Sequence, residues 1–103
     1  MAEVIVSRLA RNDLVHIHDY IRDELSNPDA ALRIMVQLKQ AMESLQSMPE
    51  RGKPLDAILA VHTEYRFLVC GNYRVFYLYD GQQVEVVRVL YTLQDYMRAL
   101  FLS

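Results

Sequence analysis

Glycine is scarce in this chain, with three in 103 residues, and none of them falls in a phosphate-cradling fingerprint. Cysteine is scarcer still. Cys70 stands alone, so no internal disulfide can form, and its strand-like context reads as a small buried residue rather than a reactive thiol. No apolar run approaches the ~20 residues that span a bilayer. The opening, MAEVIVSRLARND, lacks a basic segment followed by a long apolar core and so does not read as a signal peptide. These shortages fit a protein of the reducing cytoplasm with no membrane association. Positive charge is in short supply too: 11 Lys and Arg against 13 Asp and Glu give a net charge of −2. That argues against a diffuse affinity for nucleic acid, which needs clustered cations. The balance is uneven, however. Residues 1–50 carry five basic and eight acidic groups, and residues 51–103 carry six and five, so an anion site belongs to the second half.

What is present organises itself around the stretch from Tyr65 to Tyr91. Tyr65–Cys70, Tyr73–Tyr79 and Val84–Tyr91 are rich in aromatic and β-branched residues. Gly71-Asn72 and Asp80-Gly81 are two-residue hairpin signals between them, so the three strands run antiparallel. A three-stranded ribbon cannot cover its own faces, and the rest of the chain supplies the cover. Glu3–Val6 reads as a short strand that pairs at the sheet edge. Ser7 then caps a helix whose apolar stripe is Leu14, Ile17, Ile21 and Leu25, with Arg11, Asp19, Arg22 and Asp23 facing solvent. Ser26-Asn27-Pro28-Asp29 breaks and restarts the helix. The second helix runs from Pro28 to about Met48 on a stripe of Ile34, Leu38, Ala41, Leu45 and Met48, and its methionines read as core filler. The short connection makes a helical hairpin. Glu50–Thr63 is a loop with a turn at Gly52-Lys53-Pro54 and an apolar island of Leu55, Ile58, Leu59 and Val61. Thr92-Leu93-Gln94 turns the chain, and Asp95–Leu102 is a short helix or extended tail. The length suits one domain, residues 1–103. The class is α+β, in the order β-α-α-β-β-β, with the helical hairpin on one face of a small antiparallel sheet.

Metal chemistry has no support. His16 and His18 diverge on a helix, and His62 has no Cys or second His near it in sequence, so neither a metal nor a cofactor is expected. Chemistry-bearing residues concentrate elsewhere. Arg66, Arg74, Arg88 and Arg98 interleave with Tyr65, Tyr73, Tyr77, Tyr79, Tyr91 and Tyr96. Arginine grips phosphate with two parallel hydrogen bonds, and tyrosine stacks on bases. The same residues equally suit strand tyrosines packed with one polar tip and arginines on the sheet rim. Register decides between them. A strict turn at Gly71-Asn72 sets Cys70 opposite Tyr73 and Val69 opposite Arg74. Arg66 then shares a face with Tyr77, and Arg74 lies on the other with Phe67 and Phe76. A one-residue bulge would bring the two arginines together.

Taken together, the segments SRLARNDLVHIHDYIRDE, NYRVFYLYDGQQVEVVRVLY and QDYMRALF resemble the RelE/ParE superfamily of bacterial type II toxin–antitoxin toxins. Ala10, Asp13-Leu14, Ile17 and Tyr20-Ile21 carry the likeness in the first helix. The likeness covers almost the whole chain and rests on order, spacing and length rather than on one motif.

The resemblance implies a small toxin held inactive by a cognate antitoxin, with one of two activities. ParE-like members inhibit DNA gyrase and are not nucleases. RelE-like members are ribosome-dependent messenger-RNA endonucleases. In the second case Arg74 matches a family arginine, Arg66 stands for a basic residue on the first hairpin strand, and Tyr96 or Tyr91 is the family tyrosine. The basic residue expected after the last strand is missing from Tyr91-Thr92-Leu93-Gln94. RNA cleavage needs a base, an acid and cations for the transition state. Glu64 or Glu50 can accept a proton and Tyr91 or Tyr96 can donate one, but the set is thin, and the ParE-like branch is the better match. Leu93, Met97, Leu100, Phe101 and Leu102 are the candidates for antitoxin or target contact, for packing back on the sheet, or for homodimer formation in isolation.

Overall fold

The computed structural model describes residues 1–57, 62–91 and Leu100. Five strands form one sheet: β1 (Glu3–Val6), β2 (Lys53–Pro54), β3 (Arg66–Cys70), β4 (Tyr73–Tyr79) and β5 (Gln83–Tyr91), in spatial order β1-β5-β4-β3-β2. β3, β4 and β5 are antiparallel neighbours, as their two turns require. The turn glycines Gly71 and Gly81 sit at positive φ, which a glycine adopts without strain. β1 takes the edge beside β5 and runs parallel to it, so the sheet is mixed. Both helices and three strands separate the two in the chain, so no hairpin turn forces them antiparallel, and the long connection permits a parallel pair. Lys53–Pro54, expected as a turn, is a two-residue strand against β3.

Two helices cover one face. α1 (Arg8–Asp19) starts at Ser7, whose hydroxyl accepts from the Ala10 amide at 3.1 Å. α2 (Pro28–Glu43) starts at Asn27, whose side-chain oxygen accepts from the Ala30 amide at 3.1 Å, with Pro28 in the first turn. Between them Tyr20–Glu24 is a π-helical turn, closed by the Leu25 amide donating to the Tyr20 carbonyl at 3.2 Å. The wider turn advances the spiral, so Ile21 is buried while Leu25 is 56% exposed, contrary to the expected stripe. Met48 is also exposed. α2 gives way at Glu43 to a tighter 3-10 turn, Ser44–Gln46, which ends the stripe at the buried Leu45.

The main core lies between helices and sheet. Ala10, Leu38, Met42 and Leu45 meet Leu68, Val75, Tyr77, Val84, Val86 and Val89. A second cluster occupies the opposite face, where Leu55, Phe67, Phe76 and Leu90 pack together with half-buried Leu100 and Val87. The outer face is therefore partly covered by the chain's own residues. Leu100 packs back on the sheet, and Ile58, Leu59 and Val61 lie outside the described residues.

Candidate functional site: a groove rimmed by tyrosines

At the β3–β4 turn the helical hairpin stands clear of the sheet and leaves a groove of about 690 Å³. Its floor is apolar and comes from the hairpin: Ile17, Ile21, Ala30 and Ile34. Ala30 and Ala31 are buried, and their small side chains let α2 approach α1 closely at this end. The sheet wall is Asn72, Tyr73 and Tyr91, and the hairpin rim is His16, Tyr20, Leu25 and Asn27. None of these residues is Asp, Glu, Lys or Arg.

Tyr73 and Tyr91 are register partners on β4 and β5, with ring centroids 5.8 Å apart and planes at 70°, an edge-to-face pair. Burial raises the Tyr73 phenol above its ordinary 10.0, and the neighbouring Tyr91 and Tyr20 phenols add to the rise. The phenol is therefore neutral at physiological pH and offers a hydroxyl as both donor and acceptor. Such a surface, apolar at its base and tipped with neutral hydroxyls, suits a peptide segment with an apolar anchor. This groove is not visible in the sequence, because its two walls are about 50 residues apart in the chain. The available signal was the surplus of tyrosines at strand ends.

The arginines expected at a cleavage site are separated. The β3–β4 register is strict, with Cys70 opposite Tyr73, Val69 opposite Arg74 and Arg66 opposite Tyr77. Arg66 thus shares the helix-side face with Tyr77, and its Nη1 donates to the Gly52 carbonyl at 2.9 Å and the Glu50 carbonyl at 3.3 Å. Arg74 lies on the outer face, with its guanidinium carbon 5.2 Å from the centre of the Phe67 ring. Tyr91 belongs to the helix-side face, away from Arg74, and at the other end of β4 from Arg66, ~13 Å along the strand. Of the proton acceptors, Glu64 lies 3.4 Å from His62 Nε2, and Glu50 contributes its backbone carbonyl to Arg66. Tyr96, Leu93, Met97, Phe101 and Leu102 lie outside the described residues.

The sheet does contain a bulge, in β5 rather than in the first hairpin. Phe76 faces Arg88 and Tyr77 faces Val86, which leaves Val87 as the extra residue. Arg88 turns to α1 and meets Asp13. Sequence reasoning did not find this pairing, because 75 positions separate the partners.

Residues 4–96 match the family model described as the ParE toxin of type II toxin–antitoxin system, parDE. The chain belongs to this family. A similar relative is Toxin RelE2 of Caulobacter vibrioides (strain ATCC 19089 / CIP 103742 / CB 15), 38% identical over 90 residues that make up 86% of this chain and 93% of the relative. Among solved structures, one described as the chromosomal ParDE TA system from P. aeruginosa superimposes with a TM-score of 0.75. It covers 88% of this chain and 96% of its own at 20% identity, a likeness of fold. This ParE-family toxin therefore has the two-helix, mixed-sheet α+β architecture of the superfamily. None of its described helices is long and apolar enough to cross a membrane.

Proposed function

We propose that this toxin arrests growth by binding a macromolecular target, DNA gyrase first among them, and that a cognate antitoxin neutralises it by covering the tyrosine-rimmed groove. One observation carries the choice of target: the strict β3–β4 register, which keeps Arg66 and Arg74 on opposite faces. A phosphoryl-transfer site needs its cations converging on one group, and here one arginine holds a loop by its carbonyls while the other lies over Phe67. The groove supports the antitoxin half of the reading, since an apolar recess beside neutral hydroxyls takes an amphipathic segment. Supercoiling by purified gyrase, titrated with the toxin, is the test. Inhibition that is reversed by the product of the neighbouring reading frame is the expected result. No inhibition at saturating toxin abandons the gyrase reading.

The relative named Toxin RelE2 favours a second reading, a ribosome-dependent messenger-RNA endonuclease using Arg74 with Tyr91 or Tyr96. It requires that Arg74→Ala abolish translation arrest and messenger-RNA cleavage. Unchanged arrest by that variant removes it. Either target is cytoplasmic, and the protein acts there on both readings.

A further inference from the structure

The described residues that line the groove include no carboxylate, ammonium or guanidinium, but the hairpin tip that forms its mouth is charged. Between residues 19 and 29 stand four carboxylates, Asp19, Asp23, Glu24 and Asp29, against one guanidinium, Arg22. Residues 22–29 are all exposed. Arg22 is engaged within the tip, its Nε 2.7 Å from Asp23 and its Nη2 3.5 Å from Asp19. The tip therefore presents surplus negative charge immediately beside Tyr20, Leu25 and Asn27 of the groove rim. Electrostatic complementarity selects partners of opposite sign at such a rim and disfavours acidic ones.

On the reading that an antitoxin fills this groove, we infer that its seated segment is basic as well as amphipathic. An uncharged apolar side chain enters between Tyr20, Tyr73 and Tyr91, and Lys or Arg residues beside it face the carboxylates of the hairpin tip. The two parts contribute differently. The apolar anchor supplies affinity that salt leaves unchanged, since it comes from buried area. The basic flank supplies attraction that added salt screens, the Debye length being about 10 Å at 0.1 M.

The test uses the full-length toxin and the purified product of the neighbouring reading frame, with affinity measured from about 50 to 500 mM sodium chloride. Affinity of the wild-type toxin should fall several-fold across this range. The double variant Glu24→Lys with Asp29→Asn should bind about tenfold more weakly at low salt and show a flattened salt dependence. Tyr91→Ala should weaken binding at every salt concentration while leaving the salt dependence intact. Glu85→Lys, at an exposed position of β5, is the control for charge reversal away from the groove and should behave as wild type. The wild-type salt titration keeps the inference exposed even where a variant folds poorly. Binding that ignores salt, or that the double variant strengthens, overturns the basic flank and leaves the antitoxin reading standing. Absence of binding at any salt overturns both. Self-association of the isolated toxin that Tyr91→Ala abolishes would instead assign the groove to a second copy and overturn the inference.

Discussion

Asp13 and Arg88 form a two-pronged ion pair that ties α1 to β5, with Nε donating to one carboxylate oxygen at 2.8 Å and Nη2 to the other at 2.9 Å. The Val89 amide donates to the same carboxylate at 2.9 Å. β1 ends at Val6, opposite Val86, so β5 runs beyond its edge partner, and Asp13 satisfies an amide there. The two side chains are 11% and 20% exposed, and the pairing holds the Arg88 guanidinium above its ordinary range. Removing Asp13 takes an acceptor from the Arg88 guanidinium and from the Val89 amide at once, at a site largely closed to water. Asp13→Ala should therefore cost about 3 kcal/mol, read from urea unfolding. Asp13→Asn should cost less, because the amide oxygen still accepts from Val89. Equal losses for the two variants would mean that the Val89 contact contributes nothing.

Gly52 is present for lack of room. A Cβ there would lie 2.6 Å from the Tyr77 hydroxyl oxygen, 2.7 Å from the Tyr77 ring and 2.9 Å from the Phe67 carbonyl. Its amide donates to that hydroxyl at 2.9 Å, and Tyr77 is fully buried. Tyr77→Phe leaves the Gly52 amide without its acceptor and should cost about 1–2 kcal/mol. Gly52→Ala should cost about 2 kcal/mol or more through overpacking. The double variant should not recover stability, because the ring and the Phe67 carbonyl still block the methyl group. Thermal unfolding of the three variants decides this, and recovery in the double variant would place the strain on the hydroxyl alone.

How much of this was legible in the chain follows from the range of each interaction. The β3–β4 register is local: the Gly71-Asn72 turn and the alternation of Phe67, Val69, Arg74 and Phe76 determine it. So are the caps at Ser7 and Asn27. The direction of β1 was not legible, because Val4 and Val6 would face the core in either orientation. The bulge at Val87 carries no glycine to mark it. The π-helical turn closes its hydrogen bond one residue later than an α-helical one, and it shows itself in the Leu25–Tyr20 hydrogen bond and in the burial of Ile21 beside the exposure of Leu25. The Tyr73–Tyr91 pair was half legible. Both residues sit at strand ends in the sequence, but the wall they face is built by α1 and α2.

The loop leading into β3 is braced by a second charged group of contacts. His62 Nδ1 lies 2.8 Å from Asp56, whose other carboxylate oxygen accepts from the Thr63 amide at 2.7 Å. The hydrogen bond to Asp56, with smaller help from Glu64, raises the His62 imidazole above its ordinary 6.5. The Thr63 amide first, and His62 after it, lower Asp56 below its ordinary 3.8. The raised histidine contributes fully below pH 6.5, and its contribution fades as pH climbs through its folded value. The lowered carboxyl contributes above pH 3.8 and loses that contribution as pH falls. The brace is therefore tightest between these limits. In an NMR titration the His62 midpoint should lie above 6.5 and drop in Asp56→Asn. A midpoint at or below 6.5 in the wild type would show that the contact does not persist in solution.

Ser7 works at two places at once. Its hydroxyl oxygen accepts from the Ala10 amide, capping α1, and its proton goes to the Val87 carbonyl at 3.0 Å, at the bulge in β5. Its backbone amide also donates to the Val86 carbonyl at 2.9 Å. At an ordinary helix start aspartate caps as well as serine, and alanine costs about 1 kcal/mol. Here aspartate can accept from Ala10, but it has no proton for Val87 and sets a carboxylate against a carbonyl oxygen. Ser7→Asp should therefore recover none of the loss seen in Ser7→Ala, whereas Ser7→Thr, which keeps a hydroxyl, should stay near wild type. Thermal unfolding midpoints for the three variants provide the comparison. Full stability in Ser7→Asp would mean that the cap alone matters and that the bulge is held without the hydroxyl's help.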